Sequence, residues 1–564
     1  MWIRNTGVCA VAALVLLLSA GCNKTESNPS RASSEAKSSW LLATVDWVGI
    51  PRLESDSNAA GILKVWRLRD TQRLLAQTLD KLALAPWRLS GTNPPIAMTN
   101  YALLMRDYPS AALVRPLLDD LVEDEWHLQI LEQKDQSAQL ALAVRLKPQH
   151  AGIWETNLRA TLETSKAPHW IAQPGRADRR WDFRLTNSPP TNPLLRHIEL
   201  ARAGDWTILG LGPGPNEAFT NLLGRIQSGQ PISRGTNRTA WLETALDLPR
   251  LARALSWHWD LPEDWPAVSF TLRGDGQHVI TQGELNFPKP LPNLEPWNIP
   301  TNLIHEPVQS FTAVQAIEPW LSSWSLWREM RAGRAPNQLF CWAQSGSPFL
   351  NYAAAPLADA RNVMSKLGPM LMEKMNPILA TNRMGKWEYA ANSDEAVWRA
   401  PAISPFVRSS SQPLGNYLLA GLAFFGLTNG APPAGTFRDL LAGKNLVYFD
   451  REITAPRVEA WLYVSQLFRV IFRREQVPTT ACSLDWLEAL IPLLGSSSTA
   501  LSKSGPNQLT LFRSSTLGLT APELHLLVDW LESSEFPRRP HSVVARLRPR
   551  SSPRPGAGAN FKPK

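Results

Sequence analysis

The chain has 564 residues, of which 44% are hydrophobic and 19% are charged. This composition excludes an intrinsically disordered protein and provides enough apolar surface for two or more domains. The formal net charge is +9. Eight basic residues and no acidic residue follow Glu535, and Arg4 supplies the remaining positive charge, so residues 22–535 are formally neutral. The body therefore lacks the basic character of a nucleic-acid-binding protein, and we expect no specific nucleic-acid partner.

Residues 1–21 have the layout of an export signal. Arg4 precedes an apolar run over residues 8–18, and small side chains then lead to Cys22. The run is too short to span a bilayer. We predict that this segment exports the chain and is then removed.

The segment Leu18-Ser19-Ala20-Gly21-Cys22 resembles the lipobox of bacterial lipoproteins, although Leu18 stands one position earlier than in most lipoboxes. The resemblance implies cleavage before Cys22 and attachment of acyl chains such as palmitate to this cysteine. It also implies a location in the cell envelope, at the outer membrane or at the periplasmic face of the inner membrane. An ordinary secreted protein and an uncleaved anchor are the alternatives.

Residues 22–39 are polar and rich in serine, which predicts a flexible tether. A first domain is predicted over residues 40–287, beginning with a strand at residues 40–45. Two apolar runs at residues 126–130 and 140–146 flank a polar turn and predict a hairpin. Further strands are predicted at residues 206–211, 240–246, 267–272 and 279–287. Helical patterns lie between them, so the pattern favours an α+β fold with mixed or antiparallel sheets.

Six prolines fall within residues 288–308 and predict a linker without helix or ladder. A second α+β domain is predicted over residues 309–535, with strands at 339–343, 417–424, 446–449 and 509–512. Both halves alternate predicted strands with predicted helices, which suggests a duplicated architecture, although no repeat is detectable at the level of residues.

The last predicted helix begins with Thr520-Ala-Pro-Glu523, which forms a capping box with proline in the first turn. Residues 536–564 follow as a basic tail rich in Pro, Ser and Gly, which predicts disorder. Weak electrostatic attachment of this tail to an anionic surface is the functional alternative to a merely solvated terminus.

The mature body would keep two cysteines, Cys341 and Cys482, after loss of Cys9 and lipidation of Cys22. An oxidising compartment allows one disulfide between them. Two separate buried thiols are the alternative, because free cysteine packs well in protein cores.

Two segments have the composition of a ligand site. Residues 210–214, Gly-Leu-Gly-Pro-Gly, follow a predicted strand, but they lack the third glycine of a dinucleotide fingerprint and predict a tight turn. Residues 257–265 combine tryptophans with His258, Asp260, Glu263 and Asp264, which could hold a metal or act as acid and base, yet their prolines favour a solvated loop. We therefore assign no catalytic residue, no metal ligand and no cofactor.

The chain contains 24 tryptophans and only 7 tyrosines. Trp320, Trp324 and Trp327 have the spacing of one helix face, so they predict an aromatic stripe. If the stripe is exposed, it provides a surface that stacks on sugar rings or meets a partner protein; if it is buried, it belongs to the core.

Short segments also resemble a group of large, uncharacterised exported proteins of planctomycete and verrucomicrobial bacteria: residues 115–120, 445–453 with Pro456 and Arg457, and 519–523. This resemblance implies architecture and location only. The leading functional hypothesis is a membrane-anchored lipoprotein that binds or scaffolds an envelope protein or glycan, and an enzyme is the less favoured class. The alternatives are an envelope hydrolase acting on glycan or peptide, and a carrier of hydrophobic ligands.

Overall fold

A computed structural model of the chain describes most of residues 39–537. The residues outside the description are 1–38, 90–107, 136, 165–169, 175–180, 186–195, 233–238, 256–263, 331–332, 382–383, 401–402, 411–415, 424–436, 438–439, 441–442, 444, 472–480, 534–535 and 538–564.

Twenty described strands form one sheet in which every pairing is antiparallel. The first ten are β1 (Ser39–Trp47), β2 (Trp126–Gln133), β3 (Ala138–Arg145), β4 (Trp170–Pro174), β5 (Trp181–Leu185), β6 (His197–Ala203), β7 (Trp206–Gly212), β8 (Leu242–Asp247), β9 (Ala267–Gly274) and β10 (Val279–Asn286). The second ten are β11 (Val308–Gln315), β12 (Gln338–Gln344), β13 (Asn351–Pro356), β14 (Lys386–Ala390), β15 (Glu395–Arg399), β16 (Phe406–Ser410), β17 (Tyr417–Gly421), β18 (Leu446–Ile453), β19 (Ser496–Lys503) and β20 (Gln508–Ser515).

Thirteen α-helices are described between and after these strands. They are α1 (Ile50–Ser55), α2 (Ala60–Trp66), α3 (Arg69–Leu89), α4 (Pro109–Glu123), α5 (Pro148–Thr164), α6 (Glu217–Gln227), α7 (Leu248–Ala254), α8 (Glu318–Ser323), α9 (Ser325–Met330), α10 (Ala360–Thr381), α11 (Thr454–Ile471), α12 (Cys482–Leu490) and α13 (Ala521–Leu531). The predicted α+β class is confirmed. Among the described helices, none combines the length and the hydrophobicity that crossing a membrane requires.

The strand order is duplicated. Neighbouring strands in the first half follow the order β10-β9-β8-β1-β2-β3-β7-β6-β5-β4. The second half follows the same order, β20-β19-β18-β11-β12-β13-β17-β16-β15-β14. We call the halves the first and second repeat. The suggested duplication is therefore present in the topology, although the sequence shows no repeat.

The two repeats join where β10 pairs with β20. Val279 lies opposite Ser515 and Asn286 opposite Gln508, so the first residue of each strand faces the last residue of the other. Such a register has approximate two-fold symmetry. It also makes the twenty strands a single continuous sheet.

The largest core lies on one face of this sheet, which we call the first face. Its buried residues include Leu128 and Leu142 from the first repeat, together with Leu487 and Leu524 from α12 and α13 near the end of the chain. The boundary at residues 288–308 stays a prediction, but both the sheet and this core extend across it. Phe536, placed in the basic tail by the sequence, is fully buried in this core, so the packed chain extends past the predicted end of the second domain.

The proline-rich segment has neither helix nor strand before β11, as its prolines predict. It is nevertheless packed, because Ile304 is fully buried in a second core on the opposite, second face of the sheet. Side chains of Gln315, Gln338 and Gln344 form hydrogen bonds with backbone groups of this segment. These buried amides satisfy polar groups that a proline-rich chain cannot pair in a ladder.

The other local predictions are mostly confirmed. The hairpin of β2 and β3 forms around residues 134–137, and strands occupy each of the predicted strand positions. The capping box at α13 is complete, with the side chains of Thr520 and Glu523 each bonding the other's backbone N–H. Ser39 belongs to β1, so the strand begins at the last residue of the predicted tether, one residue before the predicted start of the first domain.

Candidate functional site

The three tryptophans of the predicted stripe do not share one helix. Trp324 adopts an extended backbone with φ −67° and ψ 135°, which ends α8 before α9 begins. The Ser323 hydroxyl donates to the Trp320 carbonyl at 2.6 Å and thereby competes for the acceptor that a continuing helix would use. The expectation of one helical face is therefore wrong.

The break leaves Trp320 and Trp324 at the surface and Trp327 partly buried. The two indoles are 47% and 45% exposed, and their ring centroids lie 4.5 Å apart in an edge-to-face arrangement. Trp327 packs against Leu357 and donates its Nε1–H to the Gly333 carbonyl at 3.1 Å. We call Trp320 and Trp324 the tryptophan pair.

A buried charged cluster lies on the first face of the second repeat, where β18 faces α11 and α13. Asp450 and Glu452 are 7% and 3% exposed and are two residues apart on β18, so both side chains point to this face. Asp450 accepts a hydrogen bond from Thr312 Oγ1 at 2.6 Å. Glu452 accepts from the Ala521 N–H at 2.6 Å, at the first residue of α13, and from Ser497 Oγ at 3.3 Å.

Arg457, in the first turn of α11, supplies the positive charge of this cluster. Its guanidinium donates to Asn351 Oδ1 at 2.7 Å, while Nε is buried and has no hydrogen-bond partner among the described residues. Burial lowers the pKa of Arg457, and the negative charges of Glu452 and Asp450 oppose this change. Arg513 also acts on Asp450, but it forms an ion pair with Glu523, so Arg457 is the cation left to balance the two carboxyl groups.

The pKa values of these carboxyl groups reflect this imbalance. Burial raises the pKa of Asp450 to about 6, and the Thr312 hydrogen bond and nearby arginines only partly oppose it. Burial, followed by the charge of Asp450, raises the pKa of Glu452 to about 7. At neutral pH the pair therefore holds roughly half a proton, mostly on Glu452, so Arg457 balances most of its remaining negative charge.

The first repeat has no such cluster at the equivalent positions. β8 and β18 are each followed directly by a helix, and aligning their ends makes Thr244 equivalent to Asp450 and Leu246 to Glu452. Val45 and Leu128 then occupy the positions of Thr312 and Cys341. On the first face, this part of the first repeat is mostly apolar.

On the second face the polarity is reversed. The first repeat has Asp46, His127 and Glu243 on three neighbouring strands, with His127 Nδ1 2.6 Å from Asp46 Oδ1. Burial, followed by the charge of Asp46, raises the pKa of Glu243. The equivalent residues of the second repeat form an apolar core: Ala313, Phe340 and Phe449. At these equivalent positions, each repeat thus has buried or partly buried polar residues on the face where the other is apolar.

The glycine turn at residues 210–214 has no free helix N-terminus. At the start of α6, the N–H of Asn216 donates to Glu199 Oε2 and that of Glu217 to Gln139 Oε1. The Phe219 N–H donates to the Asn216 side chain. A phosphate would have to displace three protein acceptors, so the predicted tight turn agrees with this geometry.

One further group has the composition of a cation site. Ligand atoms of Asp120, Asp124 and His150 lie within 4.8 Å of one another, at the end of α4 and in the first turn of α5. Asp120 already accepts from Trp154 Nε1 at 2.8 Å and contacts His150 Nδ1 at 2.6 Å. Burial, followed by the charge of Asp120, raises the pKa of Asp124. Sequence spacing did not reveal this group because α5 lies about one hairpin further along the chain.

The disulfide that the cysteine count allows is not formed. Cys341 and Cys482 are both free. Cys341 lies on β12 beside Asp450 and Arg457, whereas Cys482 starts α12 in the largest core. Burial raises the pKa of the Cys341 thiol to about 11, so it remains protonated at neutral pH.

Other predicted features lie outside the described residues. They are the signal segment with the lipid attachment at Cys22, His258, Asp260 and Glu263 of the polar and aromatic cluster, and the basic tail beyond Pro537.

Comparisons with known proteins give little guidance. No protein-family model matches the sequence, and no curated protein matches it either. A solved structure, crystal form III of TP0453, aligns with 53% of this chain and 88% of that chain at 11% identity and a TM-score of 0.23. A similarity of this size carries no argument about fold or function.

Proposed function

We propose that this protein is an exported, lipid-anchored binding or scaffolding protein of the cell envelope, and that the tryptophan pair contacts its partner. The export layout and the lipobox resemblance at Cys22 support the location. The observation that carries the binding function is the exposure of two large indoles side by side, one on the short helix α8 and one at its end.

The tryptophan pair has the properties of an interaction hot spot. Trp327 fixes the adjoining segment through its hydrogen bond to Gly333, so little conformational entropy is lost when a partner binds. Arg334 holds the start of α8 through ion pairs with Glu295 and Glu318. Exposed indoles on a rigid support are the residues that most often dominate binding energy.

The hydrolase alternative has less support. It requires carboxyl groups that meet in an open cleft, where they can reach a substrate. Asp450 and Glu452 have the largest pKa increases among the described carboxyl groups, and both are enclosed under α11 and α13. We therefore favour binding over catalysis.

The lipid anchor is tested by Cys22→Ala. We expect the wild-type protein to fractionate with membranes and the variant to appear in the soluble fraction, because two or more acyl chains give stable anchoring. Mass spectrometry of the mature N-terminus should show an acylated cysteine in the wild type only. Membrane retention and unchanged processing of the variant would rule out lipidation.

The binding surface is tested by Trp320→Ala combined with Trp324→Ala. In the Cys22→Ala background, which lacks the anchor, we expect about tenfold weaker retention on purified envelope membranes and cell-wall material, because the hot spot is removed. Tyr463→Ala is the matched control, since Tyr463 is an aromatic residue of α11 that is 67% exposed. Equal retention of the double variant and the control would contradict the proposal.

A further inference from the structure

A groove lies in the first repeat, separate from the tryptophan pair. It has a volume of about 1090 Å³ and lies between the β6–β7 turn and the end of α6. Trp206, Ile226 and Ile232 contribute its apolar surface and pack against a small core that includes Phe219 and Leu222. This support makes one wall of the groove rigid.

The rim of the groove is polar. Gln227 and Gln230 are exposed, and Arg202 and Asp205 line the opposite side. Within the described part of the chain, the side-chain amides of Gln227 and Gln230 and the indole N–H of Trp206 have no hydrogen-bond partner. The groove thus combines an aromatic wall with amide groups that both donate and accept hydrogen bonds.

We propose that this groove binds a neutral oligosaccharide. A sugar ring has an apolar C–H face, which would pack on Trp206, and a rim of hydroxyl groups, which would pair with Gln227 and Gln230. Arg202 and Asp205 give the rim one charge of each sign, so it favours neither an anionic nor a cationic ligand, and the polar rim disfavours a wholly apolar one. The volume slightly exceeds that of a site for one drug-sized ligand, so several linked sugars fit better than one.

Calorimetric titration of the full chain with two probes tests the proposal: a tetramer of N-acetylglucosamine and a tetramer of glucose. We expect binding of at least one tetramer and about tenfold weaker binding by Gln227→Ala combined with Gln230→Ala. Trp206→Phe should weaken binding less than Trp206→Ala, because it keeps a ring and loses only the N–H donor.

Tyr463→Ala should leave the affinity for the tetramer unchanged, because this exposed aromatic residue lies on α11, outside the groove. The two glutamine substitutions lie at the exposed rim, so they give a decisive result even where Trp206→Ala does not fold. The proposal is wrong if neither tetramer binds at millimolar concentration, or if binding is unaffected by the glutamine substitutions.

Discussion

Glu452→Gln should raise the free energy of unfolding by about 3 kcal/mol near pH 8 and change it little near pH 4. Glutamine keeps the oxygen that accepts from Ala521 and Ser497 and removes the charge that burial disfavours. Urea denaturation of both proteins across this pH range is the measurement.

The expected gain in the free energy of unfolding follows from the direction in which folding changes the pKa values. The folded pKa of Glu452 is about 7 and that of Asp450 about 6, both above their ordinary values. Each group therefore stabilises the fold fully below its ordinary pKa, and this stabilisation is lost as the pH rises through 6 and 7. Wild-type stability from this cluster should fall between roughly pH 4 and pH 7, and less steeply in Glu452→Gln.

Arg457→Met is the control, and we expect it to lower the free energy of unfolding where Glu452→Gln raises it. Without the cation, two buried carboxyl groups face each other, and we expect a loss of about 3–5 kcal/mol near pH 8. The loss should shrink near pH 4, where both carboxyl groups are protonated. If the free energy of unfolding of the wild type and both variants changed with pH in parallel, the raised pKa values of Asp450 and Glu452 would be contradicted.

Leu524→Ala should lower the free energy of unfolding by about 2–5 kcal/mol, because it leaves a cavity in the largest core. Leu524 is fully buried on α13, near the end of the chain, in the core that also contains side chains of β2 and β3. Hydrogen exchange should therefore become faster in β2 and β3 of the first repeat.

Phe340→Ala provides the comparison for this prediction. Phe340 is fully buried in the core of the second face, among residues of the second repeat and the proline-rich segment. We expect a loss of about 3–5 kcal/mol with faster exchange centred on β11–β13. If Leu524→Ala left exchange in β2 and β3 unchanged, the cores of the two repeats would be energetically separate.

The sequence predicted what depends on neighbouring residues. The hairpin of β2 and β3, the capping box at Thr520 and the irregular proline-rich segment all follow from local patterns. The prediction of one helical stripe from Trp320 to Trp327 was wrong because residue spacing alone does not reveal that Ser323 donates a hydrogen bond to the Trp320 carbonyl. A serine side chain can bond a nearby backbone carbonyl instead of allowing the helix to continue, and the spacing of apolar residues carries no information about this bond.

The buried cluster could not be predicted because it depends on strand register. Thr312 and Asp450 are 138 positions apart and meet only because β11 pairs with β18. One signal was present: Asp450 and Glu452 occupy alternate positions of an otherwise largely apolar strand, so both had to face the same side. The duplication was equally hidden, because equivalent positions such as Asp46 and Ala313, or Val45 and Thr312, differ in polarity between the two repeats.

The pairing of β10 with β20 has a consequence for assembly. In a single repeat the last strand would have a neighbour on one side only, and its unpaired backbone groups would form an open edge. The symmetric register of Val279 with Ser515 and Asn286 with Gln508 makes the junction an isologous interface, like that of a homodimer. Because residues 287–307 connect the two repeats in one chain, this dimer-like contact is intramolecular, and its formation does not depend on protein concentration.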